Sequence, residues 1–181
     1  LIAPSMDVHD WVFTVTDGNT IIASNTNRND QVLEIMHPWA GREEDITALR
    51  ISPEGTRAAL VVRPEEGPAQ LYIAGVIRDE DNQPQALGNT FRLQTDEPPN
   101  QVAWYSTAEI LAGRVSSRER VELELIGFSG PPVNFKPMLG MVNFSTGAGN
   151  VYAETEDNVY LRVGNNWRAQ PDAPTQLSYP G

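Results

Sequence analysis

An all-β fold is predicted by three features of this 181-residue chain. A phrase of apolar strand, polar turn opening at serine and second apolar strand recurs about four times along the sequence. Strand-length apolar runs are punctuated by turn formers such as Asp17-Gly18, Pro53-Glu54-Gly55 and Gly147-Ala148-Gly149. Helical periodicity is scarce, with one turn at most expected over Gly41 to Asp45. The copies of the phrase, opening near Leu1, Ala48, Val102 and Val142, start about 40 to 55 residues apart, the length of one four-stranded propeller blade. The expected architecture is a β-propeller of about four blades, each a four-stranded antiparallel sheet, standing alone or as an incomplete part of a larger propeller.

In the first blade, Trp11 to Val15 and Thr20 to Ala23 flank Thr16-Asp17-Gly18-Asn19, where Asp-Gly supplies the positive φ of a tight hairpin. Gln31 to Met36 is the outer strand, closed by His37-Pro38 because proline has no N–H for a ladder. In the second, Ser52-Pro53-Glu54-Gly55 joins Ile46 to Ile51 with Arg57 to Val62, and Gln70 to Arg78 runs into the acidic turn Asp79-Glu80-Asp81-Asn82. The third reads Gln101 to Trp104, Glu109 to Ala112 and Arg120 to Gly127. In that last strand Val121, Leu123 and Leu125 alternate with Glu122 and Glu124, so one face is expected buried and the other wet. The fourth reads Met141 to Phe144, Asn150 to Glu154, Asn158 to Val163 and a short strand at Trp167. The propeller is thus assigned to residues 1–170, with blades near 1–37, 46–95, 99–137 and 140–170, followed by an irregular proline-rich tail, 171–181.

A net charge of -11 with Lys136 as the single lysine argues against nucleic-acid binding, which needs clustered cations to neutralise phosphates. The absence of cysteine excludes disulfides, thiolate metal sites and cysteine nucleophiles. No apolar run approaches the ~18 residues of a membrane span, and the opening at Leu1, without methionine or a signal-like segment, reads as a processed or truncated piece.

No cofactor or metal is called for by the residue pattern. His9 and His37 stand outside any metal-binding spacing, and the acidic turn at Asp79 lacks the glycine and distal glutamate of a calcium loop. Ser52, Ser106 and Ser145 repeat at one turn position, which argues for geometry over nucleophilic catalysis. The Asn143-Phe144-Ser145 sequon falls inside a strand phrase and is read as accidental. Acidic clusters at Glu43-Glu44-Asp45 and Asp79-Glu80-Asp81 are read as solvated turns. Arg63, Arg78, Arg114, Arg118 and Arg120 are read as solvated ion-pair partners. Trp11, Trp104 and Trp167, with Phe13, Phe144 and Tyr152, are assigned to blade packing. Trp39 and Arg42 differ, because Pro38-Trp39-Ala40-Gly41-Arg42 reads as a loop, and an exposed aromatic beside an arginine is the pairing that anchors interfaces. These two are the candidate partner contacts.

Four stretches carry a family resemblance: Ala3-Pro4-Ser5-Met6-Asp7 with Trp11-Val12-Phe13; Pro38-Trp39-Ala40-Gly41-Arg42; Thr47-Ala48-Leu49-Arg50-Ile51-Ser52-Pro53-Glu54-Gly55-Thr56-Arg57-Ala58-Ala59; and Ala74-Gly75-Val76-Ile77-Arg78-Asp79. Together they resemble the C-terminal propeller of the actinobacterial LpqB lipoproteins, over nearly the whole chain. The resemblance implies a protein lipid-anchored to the outer face of the cytoplasmic membrane, the anchor lying outside this chain. It also implies a partner, the extracytoplasmic sensor domain of an MtrB-type histidine kinase, and a role in two-component signalling. The expected function is therefore a non-catalytic docking module. The alternative is a propeller that senses cell-wall glycan or a small ligand, and an enzyme would require converging carboxylates in a cleft.

Overall fold

The computed structural model describes residues 2–28 and 31–171, and the part of the expected tail beyond Pro171 lies outside the described residues. All regular structure among them is β. Blade 1 contains β1 (Ser5–Met6), β2 (Trp11–Thr16), β3 (Thr20–Asn25) and β4 (Val32–Ile35), antiparallel in chain order. Its register sets Ala23 between Phe13 and Leu33, and Ile21 between Val15 and Ile35. Side chains alternate across a strand, so this register collects the apolar set on one face. The hairpin turn has positive φ at both Asp17 (51°) and Gly18 (80°), as its sequence requires.

Blade 2 contains β5 (Asp45–Ile51), β6 (Arg57–Arg63), β7 (Gln70–Arg78) and β8 (Pro84–Leu93). Strand β8, at ten residues, is the longest among the described residues and carries no unbroken apolar alternation in the sequence that would announce it. Its ladder with β7 is broken where Asn89 takes φ 50°. The expected helical turn over Gly41 to Asp45 is not formed, because Asp45 is already paired with Arg63 as the first residue of β5.

Blade 3 contains β9 (Gln101–Ser106), β10 (Glu109–Gly113), β12 (Glu124–Gly127) and β13 (Val133–Asn134). A separate two-stranded ribbon joins β11 (Arg120–Val121) to β14 (Met138–Leu139). The predicted continuous strand from Arg120 to Gly127 is therefore two strands. The break at Glu122 and Leu123 shifts the phase, so that Leu123 and Glu124 are both buried and Glu124 leaves the face expected to be wet.

Blade 4 contains β15 (Asn143–Gly147), β16 (Asn150–Glu154), β17 (Val159–Val163) and β18 (Asn166–Ala169). Strand β15 starts at Asn143, two residues later than its apolar run, and ends in a tight turn with positive φ at Ala148 and Gly149. The serine rule divides here. Ser52 and Ser106 do open turns, with Ser52 Oγ accepting from Arg57 N at 3.0 Å and Ser106 Oγ from Ala108 N at 3.3 Å. Ser5 and Ser145 lie buried within strands, and Ser5 Oγ accepts from Ile51 N across the blade boundary at 2.9 Å.

The cores sit between blades. Trp11, Phe13, Ile21 and Ile35 meet Leu49, Leu60 and Val62 between blades 1 and 2. Val61, Leu71 and Ile73 meet Val102, Trp104, Ile110 and Ile126 between blades 2 and 3. Leu111, Leu123 and Phe135 meet Phe144, Val151 and Ala153 between blades 3 and 4. Strand β6 is buried on both faces, which is why Ala58 to Val62 reads as an unbroken apolar run. The four inner strands β1, β5, β9 and β15 stand side by side at the axis, β5 packing on β1 and β9, and β9 on β15.

Candidate interaction site

The Trp39–Arg42 segment forms a clasp between blades 1 and 2. Asn19 Nδ2, from the β2–β3 hairpin, donates to Trp39 O at 3.0 Å and to Arg42 O at 2.8 Å, and Arg42 N donates to Trp39 O at 3.1 Å. These bonds turn the indole inward, where it meets Tyr72 edge-on at 5.2 Å and His37 at 6.1 Å. Trp39 is only 4% exposed. The expectation that Trp39 and Arg42 present an exposed pair is thus corrected: a polar hairpin residue captures the loop backbone and frees the indole for the core. Arg42 remains exposed, beside a shallow hollow it shares with Glu43, Glu44, Glu65 and Glu66.

The acidic turn at Asp79 and the exposed Asp45 behave as their solvated reading requires, whereas Glu44 does not, its Oε2 being buried with no hydrogen-bond partner among the described residues. Asp79 Oδ1 accepts from the backbone N–H groups of Asp81 and Gln83, each at 2.9 Å, and Asp45 pairs with Arg63 at 2.6 Å in the open. Arg78 departs from it, because its guanidinium is drawn inward to Asp7. Four carboxylates do border one recess of about 120 Å³, those of Asp96, Glu97, Glu122 and Glu124. Burial pushes the Glu124 carboxyl above its ordinary range, reinforced by the charges of Asp96 and Glu122 and opposed by backbone hydrogen bonds from Asp96 and Glu97. Both of its oxygens accept from Asp96 N, at 2.9 and 3.1 Å, which pins the chain entering blade 3. Glu124 is therefore held by structure. Among the described residues no group of three His, Cys, Asp or Glu is placed to hold a metal ion.

All four inner strands contribute to an axial groove of about 210 Å³, bordered by Ser5, Arg50, Val102, Tyr105, Phe144 and Gly149 among others. Its walls are fixed by long-range bonds: Trp104 Nε1 donates to Arg50 O at 2.9 Å, and Thr146 Oγ1 donates to Trp104 O. Arg50 Nη1 donates to Ala3 O at 2.9 Å, tying blade 2 to the chain entering blade 1. No carboxylate lines the groove, although the chain carries 24 acidic residues. Sequence reading passed over Arg50 and Tyr105. The available signal is their place in the repeated phrase, Arg50 two residues ahead of Ser52 and Tyr105 one residue ahead of Ser106, which puts both near the same end of an inner strand.

A family model described as the lipoprotein LpqB beta-propeller domain matches residues 1–180. The chain belongs to the LpqB lipoprotein β-propeller family. This LpqB-family membership makes it an extracytoplasmic lipoprotein module of a family not known for catalysis, and no helix among the described residues is long and apolar enough to cross a membrane. No curated protein matches the LpqB-family chain. Solved structures similar to it include prolyl oligopeptidase B from Galerina marginata in its apo form, with TM-score 0.53 and 10% identity. The same enzyme bound to a 35mer hydrolysis and macrocyclization substrate gives 0.54 and 11%, and bound to a 25mer macrocyclization substrate 0.52 and 12%. Each alignment covers 92% of this chain, which spans 30% of the oligopeptidase. At that identity the likeness is one of fold, and it agrees with the blade architecture.

Proposed function

We propose that this LpqB-family propeller is the non-catalytic interaction module of a membrane-anchored lipoprotein, docking on the extracytoplasmic sensor domain of an MtrB-type histidine kinase and modulating two-component signalling. The observation that carries the reading is the match to a lipoprotein propeller domain along residues 1–180. Two structural facts support it. Of the four carboxylates that border one recess, the buried one, Glu124, is engaged in holding backbone, both its oxygens accepting from Asp96 N. The outer strands expose large apolar side chains, among them Ile77, Phe91 and Val133, of the kind that become buried when a partner docks. Calorimetric titration of the chain into the purified sensor domain at two salt concentrations tests the proposal. Saturable binding that weakens with salt is expected, since an acidic surface contributes charge complementarity to the encounter.

The axial groove favours a second reading, the sensing of a wall glycan or small ligand. Its volume suits one sugar unit, and Tyr105 offers a half-exposed ring at its border. Titration with wall-derived saccharides, followed through the fluorescence of the adjacent Trp104, separates it from the docking function.

A further inference from the structure

Blades 2 and 3 do not match in size. Strands β7 and β8 run for nine and ten residues, whereas the outer strands of blade 3, β12 and β13, have four and two. Toward its hairpin end the blade-3-facing side of the β7–β8 ribbon is consequently less well covered: Leu71 and Ile73 are buried, Gly75 and Gly88 only partly, and Ile77 and Phe91 are exposed. Register identifies what is displayed there. Ala59, Ile73 and Phe91 are opposite one another, as are Arg57, Gly75 and Gly88, with Ile77 one step further along the same face. Ala59 and Ile73 lie in the core shared with blade 3, so Arg57, Gly75, Ile77, Gly88 and Phe91 continue the same face outward.

These residues shape a notch. At Gly75, which is partly buried, an added Cβ would meet only Gly88 O within 4 Å, at 3.5 Å, its chain neighbours aside, so there is room for a small side chain against the floor. Ile77 folds over Gly88, where a Cβ would come within 2.9 Å of Ile77 Cδ1, and forms one wall. Phe91 forms another, and the two remain 47% and 44% exposed despite their size. Phe128 of blade 3 meets Phe91 edge-on at 5.6 Å, and the Arg57 guanidinium lies 5.1 Å above the Phe128 ring. Arg57 Nη1 donates to Thr107 O at 2.7 Å, which fixes the direction of the guanidinium. Among the described residues no carboxylate lies within ion-pair distance of it, in a chain where acids outnumber Lys and Arg by 24 to 13.

An open apolar notch beside an oriented arginine without a carboxylate partner selects its own complement. An apolar side chain fills the space over Gly75 against Phe91 and Ile77, and an adjacent carboxylate reaches Arg57, whose stacking on Phe128 holds it ready for that contact. We propose that this notch is the docking site for a partner-protein segment bearing an apolar side chain next to an acidic one. Building on the docking function above, it is the surface through which the sensor domain is engaged. The occupant is a protein segment because exposed apolar side chains and one oriented guanidinium stand together at the blade edge, apart from the axial groove that suits a sugar.

The experiment titrates the full 181-residue chain and three variants into the sensor domain, with thermal melts to confirm folding. Gly75→Val fills the floor, Phe91→Ser removes a wall and Arg57→Glu reverses the charge, while Arg168→Ala, exposed on β18 of blade 4, serves as the remote control. Loss of affinity by tenfold or more in all three, with Arg168→Ala unchanged, supports the notch, and anything less overturns it. Binding that all three leave intact overturns it while leaving the docking function standing. If the wild-type chain does not bind the sensor domain, that function fails, and the notch is then judged by titrating N-acetyl-Phe-Glu-amide against the isotopically labelled chain. Saturable amide shifts at Gly75, Gly88 and Phe128 that vanish in Gly75→Val uphold the notch, and their absence overturns it.

Discussion

Asp7 and Arg78, 71 residues apart in the chain, form a buried ion pair that joins the first hairpin of blade 1 to the end of β7 in blade 2. The Asp7 side chain is fully buried and that of Arg78 is 11% exposed. Neither is a lone charge. The other carboxylate oxygen of Asp7 accepts from the backbone N–H groups of His9 and Trp11, and Arg78 also donates to Gly55 O at 2.9 Å and Asn82 O at 3.0 Å. One pair thus organises three turns, and the hydrogen bonds around it offset the desolvation that makes isolated buried charges unfavourable.

Replacing Asp7 with Asn keeps the shape and removes the charge, leaving the guanidinium without its counterion. The expected loss is about 3 kcal/mol, the lower end for a broken buried pair, because Arg78 retains two carbonyl partners. Urea unfolding measures it, and an unchanged midpoint would show that the pair contributes nothing net.

Trp39→Ala is expected to destabilise the fold by about 3 to 5 kcal/mol, the range for deleting a large buried aromatic. Its effect on partner affinity should be no larger than that of any variant equally destabilised. A specific loss of binding in a fully folded Trp39→Ala protein would restore the residue as a contact.

Gly113→Ala tests the core between blades 3 and 4. The new Cβ would lie 2.5 Å from Leu123 Cδ2 and 3.6 Å from Phe144 Cε1, and both side chains are fully buried. Overpacking of this kind costs about 1 to 3 kcal/mol. A melting temperature equal to wild type would mean that Leu123 can rotate aside freely.

Two groups set opposing pH dependences. Glu124 has a raised folded-state pKa, so its contribution is fully present below the ordinary value of 4.5 and is lost as pH rises through the folded value. Relative to Glu124→Gln, wild type should lose stability as pH climbs above 4.5. Burial instead lowers the pKa of His37, against a backbone hydrogen bond with Asn19 and the charge of Glu34. Its contribution is present above the unfolded value of 6.5 and is lost on acidification, a loss that His37→Gln should blunt. Thermal melts across pH 4 to 8 read both slopes, and flat difference curves would remove both groups as determinants.

The blades were legible because their signal is local. Asp17-Gly18 and Gly147-Ala148-Gly149 announce hairpins through φ requirements that few residues meet, and the apolar run Ala58 to Val62 announces a strand buried on both faces. What stayed hidden depends on partners distant in sequence. Trp39 looks like a loop aromatic until Asn19 is seen holding its backbone, and Arg78 looks solvated until Asp7 is placed beside it. The alternation around Glu124 suggested one wet face because nothing in that stretch shows β11 leaving for a ribbon with β14. The notch at Gly75 arises from unequal lengths of neighbouring blades, a property of no single segment.

The exit of blade 1 carries a further consequence. Beyond β4, Met36 N donates to Gln85 O at 3.1 Å and Met36 O accepts from Leu87 N at 2.7 Å, a parallel bridge onto the outermost strand of blade 2. That strand is the longest edge in the fold, and a long flat edge is a template for foreign strands and for aggregation. Met36 occupies the edge near one end, and the irregularity at Asn89 twists it further along. The chain thus covers part of its longest open border with its own backbone, which leaves fewer unpaired N–H and C=O groups there for a foreign strand to join.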